Sequence, residues 1–192
     1  MNWKRISIGL FILLILITIS DGLLIRQNLE LRRRIPTETE GLKVGAQLPP
    51  LSATGVAGQQ VDVRYDGTGP RHIYFYFTST CKFCRQQFPF WKEIIEKSAG
   101  NDLEAIGLVR ESEDKDRLRQ FLQQMGCSPE SSTPLKIAFI NDRLRRDYGL
   151  SATPVTLLTN NRGAVEKSWV GAWGESERAD AESLLKFSLA SQ

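Results

Sequence analysis

Histidine occurs once in the 192 residues and cysteine three times. Beyond the close pair Cys81 and Cys84, so small a stock leaves only Cys127 and His72 as nitrogen or sulfur ligands, too few at a suitable spacing for a zinc or copper site. A c-type haem is excluded more directly, because Arg85 stands where haem attachment needs a histidine after Cys84. Three cysteines are also too few to staple a mini-protein, so the pair reads as one local site with Cys127 left over. No cofactor is expected. Charge of one sign is missing too: 25 Lys and Arg face 22 Asp and Glu, and six of the bases against two of the acids lie in residues 1–34. Residues 35–192 therefore carry 19 bases and 20 acids, no broad basic face for phosphates, and nucleic acid is not expected as a partner. With 41% hydrophobic and 24% charged residues, no disordered or fibrous bias is present either, and one domain of ordinary size is expected.

Long apolar runs are absent except at the start. After Lys4 and Arg5 come Ile6 to Ser20 without a charge, then Asp21 and a second apolar patch, Gly22 to Ile25. A bilayer core of about 30 Å needs roughly 20 helical residues. Counted to Ser20 the run suits a signal peptide; counted to Ile25 it spans the bilayer, and residues 1–25 are expected to form an uncleaved signal anchor. Arg26, Arg32, Arg33 and Arg34 outnumber Lys4 and Arg5 and, by the positive-inside rule, argue for a cytoplasmic body. An exposed thiol pair argues for export, where disulfides persist. The expectation is a single-pass protein of the cell inner membrane with its body on the periplasmic side, touching lipid through residues 6–25.

Residues 26–40 are charged, contain Pro36 and read as a stalk, leaving 41–192 as the domain. Its opening alternates short apolar groups with Gly and Pro and predicts an extended lead-in with a hairpin through Val61 to Val63. Arg71 to Phe77, RHIYFYF, suits a strand buried on both faces. Cys81 to Lys97 has helical apolar spacing at Phe88, Trp91, Ile94 and Ile95, with Pro89 expected to kink it. Leu103 to Val109 predicts a strand, Asp114 to Met125 an amphipathic helix closed by Gly126, Ile137 to Ile140 a short strand or turn, and Asn141 to Tyr148 a helix end. Val155 to Leu158 and Ala164 to Val170 predict strands joined by the turn Asn160-Asn161-Arg162-Gly163, and Glu175 to Leu189 a closing helix. The order implies an α/β fold with helices on a mixed sheet.

Cys81-Lys82-Phe83-Cys84 stands where the buried strand gives way to a helix. Free N–H groups and the positive dipole end at a helix start stabilise a thiolate at the first cysteine. Cys81 is thus expected to be exposed and to attack a disulfide, and Cys84, one turn in, to resolve the mixed disulfide. Lys82 and Phe83 are the residues placed to tune the pair.

FYFTSTCKFCRQQFP, with Pro89 five residues after the second cysteine, resembles the active-site segment of thioredoxin-fold proteins. YGLSATPVTLLTNNRGAV resembles their later segment, Thr153 and Pro154 matching the threonine and cis-proline. With the apolar N-terminus and the VGAQLPPLSATGVAGQQVDV lead-in, residues 41–190 resemble membrane-tethered thiol-disulfide oxidoreductases of the TlpA, ResA and MauD type. The resemblance implies a thioredoxin-like fold behind one transmembrane helix, and a cis Thr153-Pro154 bond lying against the cysteines. It implies that the backbone before Pro154 pairs with the substrate. The implied partners are cysteine-containing exported proteins and a membrane donor or acceptor of electrons.

Three departures stand out. Thr80 replaces the family's tryptophan before the first cysteine, Phe75 its buried aspartate, and Gln87 the glutamate that many reducing relatives carry, so no carboxylate is available at those places to take a proton from Cys84. Two other readings fit parts of the pattern. Thr78 lies three residues before Cys81 as in peroxiredoxins, although Tyr74 replaces their proline. The domain could also be a redox-linked assembly factor or chaperone that holds a client without turnover. His72 is expected at the surface or a strand edge, and Cys127 in a loop as a half-buried spare thiol.

Overall fold

The computed structural model describes residues 20–22, 26, 41–98, 100–128 and 135–189. The apolar run at 6–25 and the stalk at 26–40 lie outside these apart from 20–22 and 26, and no helix among the described residues is long and apolar enough to cross a membrane. The chain divides into Met1–Thr37 and Glu38–Gln192, and the fold is that of the second unit.

Seven strands form one sheet in the order β2-β1-β5-β4-β3-β6-β7. They are β1 (Leu51–Thr54), β2 (Gln60–Val63), β3 (Arg71–Tyr76), β4 (Leu103–Arg110), β5 (Lys136–Ile140), β6 (Val155–Thr159) and β7 (Val165–Val170). β3, β4 and β5 run parallel and the remaining pairs antiparallel, giving the expected mixed sheet. The helices are α1 (Lys82–Ser98), α2 (Lys115–Gln124), α3 (Asp142–Asp147) and α4 (Glu175–Leu185). Ile137 to Ile140, a strand or turn by sequence, is a strand lying inside the sheet between β1 and β4.

β3 lies between β4 and β6, and its period of two divides its side chains between two cores. Ile73, Phe75 and, just beyond the strand, Phe77 pack with Phe88, Trp91 and Ile94 of α1, with Leu118 and Phe121 of α2, and with Ala181 and Leu185 of α4. Phe75 and Trp91 lie 5.0 Å apart between ring centroids, and each large side chain so buried contributes about 1.5–3 kcal/mol. Tyr74 and Tyr76 point the other way, into a core closed by Leu48, Leu51, Val63, Tyr148 and Leu150. Gly107 of β4 is glycine for a steric reason: a Cβ there would meet Ile137 Cδ1 at 2.6 Å and Phe77 Cε1 at 3.1 Å.

The local signals act as expected. Asp114 caps α2 by accepting from the N–H groups of Asp116 and Arg117 at 3.0 Å each. Asn160 Oδ1 accepts from the N–H groups of Arg162 and Ala164 in the β6–β7 turn, where Gly163 takes φ +77°. α1 continues through Pro89. The closing helix is shorter than its apolar pattern: Lys186 turns left-handed at φ 62° and ends α4 at Leu185, while Leu189 returns to the core beyond it.

His72 corrects the sequence reading. It sits on the inner strand β3, only 3% exposed, with Nε2 at 3.3 Å from Glu104 Oε2 of β4 and its ring stacked on Tyr74. The reason is topological: β6 pairs with the side of β3 away from β4, and the Tyr65 ring packs edge-on against the imidazole at 5.6 Å.

Candidate active site

The site is built where β3 ends. The backbone leaves Phe77, makes a turn closed by Cys81 N–H donating to Thr78 O at 3.2 Å, and enters α1, whose first bond runs from Arg85 N–H to Cys81 O at 3.3 Å. Cys81 is half-buried and Cys84 fully buried, joined as a disulfide with Cα atoms 5.2 Å apart. The Cys84 N–H, one of the donors a helix start leaves without a backbone partner, points at Cys81 Sγ from 3.1 Å. The first sulfur thus sits at the positive end of α1 and the second in the apolar core beneath it. Lys82 and Phe83 are exposed between them, Phe83 by 57%.

Pro154 precedes β6, and Val155 pairs with Tyr76 at the end of β3 from which the cysteine turn departs. Thr153-Pro154 is a cis bond, as the resemblance implies, and Pro154 O accepts from Gly171 N–H at 2.8 Å. Sheet pairing therefore puts the Thr-Pro pair at the same end of the sheet as the cysteines.

No carboxylate stands at the two family positions, as noted. Phe75 lies against Trp91, whose Nε1 donates to Thr156 Oγ1 at 2.9 Å. Gln87 is buried, its Oε1 accepting from Trp173 N–H at 2.6 Å, while Gln87 Nε2 and Trp173 Nε1 find no acceptor among the described residues. Neither the loop carrying Trp173 nor Glu113, which holds Ser79 in the cysteine turn, was picked out by the sequence. Glu113 lies 34 residues from Ser79 and no motif links the two; the signal available is positional, an acidic residue just past the strand parallel to β3.

Cys127 is a second correction. It is not half-buried but wholly enclosed in the core that also holds Cys84 and Phe121, it is a free thiol, and burial pushes its pKa up to about 11. Its backbone is tied on both sides, N–H to Leu122 O and C=O to Leu135 N–H, which draws the side chain under α2. Among the described residues no three His, Cys, Asp or Glu side chains are grouped to hold a metal ion.

A thiol:disulfide interchange protein, DsbE, from Chlorobium tepidum superposes with a TM-score of 0.61 at 24% identity, covering 76% of this chain and 97% of that one. The exposed lipoprotein thioredoxin Etrx1 of Streptococcus pneumoniae superposes at 0.56 with 18% identity, over 72% of this chain and 98% of its own. In sequence, the thiol-disulfide oxidoreductase ResA of Bacillus thuringiensis is 22% identical over 152 residues, 78% of this chain and 80% of ResA. The fold is thioredoxin-like, and the chain is similar to proteins of the TlpA/ResA type. No family model matches the chain. The sequence likeness to ResA and the Cys81–Cys84 pair at the start of α1 together make it a thiol-disulfide oxidoreductase. In thiol-disulfide exchange the reacting atoms are the two sulfurs, and this domain supplies their burial, an N–H donor and access to one of them.

Proposed function

We propose that Cys81 is the attacking thiol and Cys84 the resolving one in exchange with cysteine-containing exported proteins. In the reducing direction Cys81 thiolate attacks one sulfur of a client disulfide, forms a mixed disulfide and expels the other client sulfur as thiolate. Cys84, having given up its proton, then attacks Cys81 Sγ, expels the second client thiolate and closes the Cys81–Cys84 bond. Two electrons pass from the pair to the client, and the oxidising direction is the reverse sequence. The observation that carries the assignment is the asymmetry of the pair: only Cys81 reaches the surface, and only its sulfur receives a helix-start N–H, at 3.1 Å from Cys84 N. Thr153 and Pro154 meet the client backbone, and Lys82 and the exposed Phe83 tune the pair and its contact with clients. Cys84→Ser should accumulate mixed disulfides with client proteins and Cys81→Ser should not; the reverse pattern overturns the assignment.

The body works outside the cytoplasm, tethered through residues 6–25, where a membrane donor or acceptor of electrons resets the pair. The charge-free run Ile6 to Ser20 supports the tether, and the likeness to an exposed lipoprotein thioredoxin supports the location. Alkaline phosphatase fused after Gln192 should be active and a reporter that works only in the cytoplasm silent; the opposite result overturns the location and leaves the exchange chemistry standing.

A further inference from the structure

The turn that presents Cys81 is held by a carboxylate from a different part of the chain. Glu113 Oε1 accepts two hydrogen bonds from one residue, Ser79 N–H at 2.9 Å and Ser79 Oγ–H at 2.5 Å. Ser79 is 1% exposed and stands two residues before Cys81. Its carbonyl faces the opposite way, 3.5 Å from Arg85 Nη2, and that guanidinium is itself fixed by Gln124 Oε1 at 3.0 Å and by the Phe121 ring below it at 5.2 Å. The loop bearing Glu113 is equally tied down. Glu113 N–H donates to Arg110 O at 3.0 Å, and the next residue, Asp114, is the N-cap of α2.

We infer that Glu113 is a positioning residue for thiol-disulfide exchange, holding the Thr78–Cys81 turn so that Cys81 Sγ stays against the Cys84 N–H. This rests on Cys81 as the attacking thiol. A buried peptide N–H and hydroxyl at Ser79 need an acceptor, and no backbone carbonyl takes these two donors in the bonds of the turn. One carboxylate oxygen, with two acceptor sites, meets both. Charge is not what the role requires, since the amide oxygen of glutamine offers the same two sites. Through the parallel β3–β4 pairing, the strand next to the one that ends at the cysteines thereby sets where the reactive sulfur lies.

The test is the rate at which full-length reduced protein reduces oxidised glutathione, with thermal midpoints measured alongside. Displacing a reacting atom by a fraction of an ångström to 1 Å costs about ten- to a hundredfold in rate, and that loss is expected for Glu113→Ala. Glu113→Gln should restore the rate to within about threefold of wild type, because the acceptor is kept. Ser79→Ala, which removes the hydroxyl but not the N–H, should lose about two- to tenfold and keeps the proposal testable if Glu113→Ala does not fold. A wild-type rate in Glu113→Ala or in Ser79→Ala, or a Gln variant as slow as the Ala variant at equal thermal midpoint, overturns the positioning role. Exchange that survives Cys81→Ser instead overturns the assignment of the attacking thiol on which it rests.

Discussion

The two faces of the sheet are built from one strand and differ in chemistry. Toward α1, α2 and α4, β3 and its extension present Ile73, Phe75 and Phe77, and the rings packed on the two phenylalanines are Phe88, Phe121 and Trp91, whose single polar atom is satisfied. On the opposite face, where Leu48, Tyr148 and Leu150 close the second core, it presents His72, Tyr74 and Tyr76. There Tyr65 Oη lies 2.7 Å from Tyr74 Oη and 3.2 Å from Tyr148 Oη, Tyr148 donates to Pro49 O at 3.0 Å, and burial pushes all three phenols above their ordinary range. The redox pair belongs to the first face. Apolar side chains enclose Cys84 and the free thiol of Cys127 on this face, whereas the tyrosine hydroxyls and the imidazole are collected on the other. Dispersion and burial stabilise one face; directional bonds fix the other.

The contrast can be broken most severely at Trp91. Trp91→Ala empties the centre of the apolar face and strands Thr156, and should cost about 3–5 kcal/mol in denaturant unfolding. A loss under 1 kcal/mol would show that this face is not close-packed. Gly107→Ala tests packing from the other direction: the new methyl pushes on Ile137, Leu135 and Phe77, all on the redox face, and should cost about 1–3 kcal/mol. Tyr74→Phe leaves the ring and removes one hydroxyl, with Tyr65 still bonded to Tyr148, so the expected loss is about 1 kcal/mol, with the exchange rate unchanged. A fall in exchange rate there would mean that the two faces are coupled.

The smallest effect is a pH dependence confined to the polar face. Hydrogen bonding to His72, aided by Lys136, holds the Glu104 carboxyl down at about 2 from its ordinary 4.5. In this window the unfolded chain binds the proton and the folded chain does not, so stability from Glu104 is present above about 4.5 and is lost as pH falls through about 2. Wild type and Glu104→Gln should differ in thermal midpoint at pH 5–6 and converge near pH 2; curves that stay parallel would remove Glu104 from the acid response.

Much of this was open to sequence reading. Element types follow from period and end signals that act within a few residues: alternation in RHIYFYF, spacing at Phe88, Trp91 and Ile95, the Asp114 cap, the Asn160 to Gly163 turn. The cysteine pair was equally legible, since two residues between sulfurs and a helix start are local facts. Errors occurred where a residue's surroundings come from far along the chain. His72 looks like an edge residue until β6 pairs with β3 and Tyr65 packs on its ring, and Cys127, a loop residue as expected, looks half-buried until the core closes over it.

By itself, then, the sequence determined the order of elements, the two-sided character of β3, the cysteine pair at a helix start and the distant Thr153-Pro154 that goes with it. Tertiary structure alone decided that Tyr65, Tyr74 and Tyr148 share hydroxyl bonds across 83 residues of chain, that Gln87 faces Trp173, and that Glu113 holds Ser79. The physical reason is range. Backbone hydrogen bonding and side-chain periodicity are set by neighbours within a turn or a pleat, whereas a buried polar group takes whichever partner the sheet register brings within 3 Å, and that register is fixed only when the whole core closes.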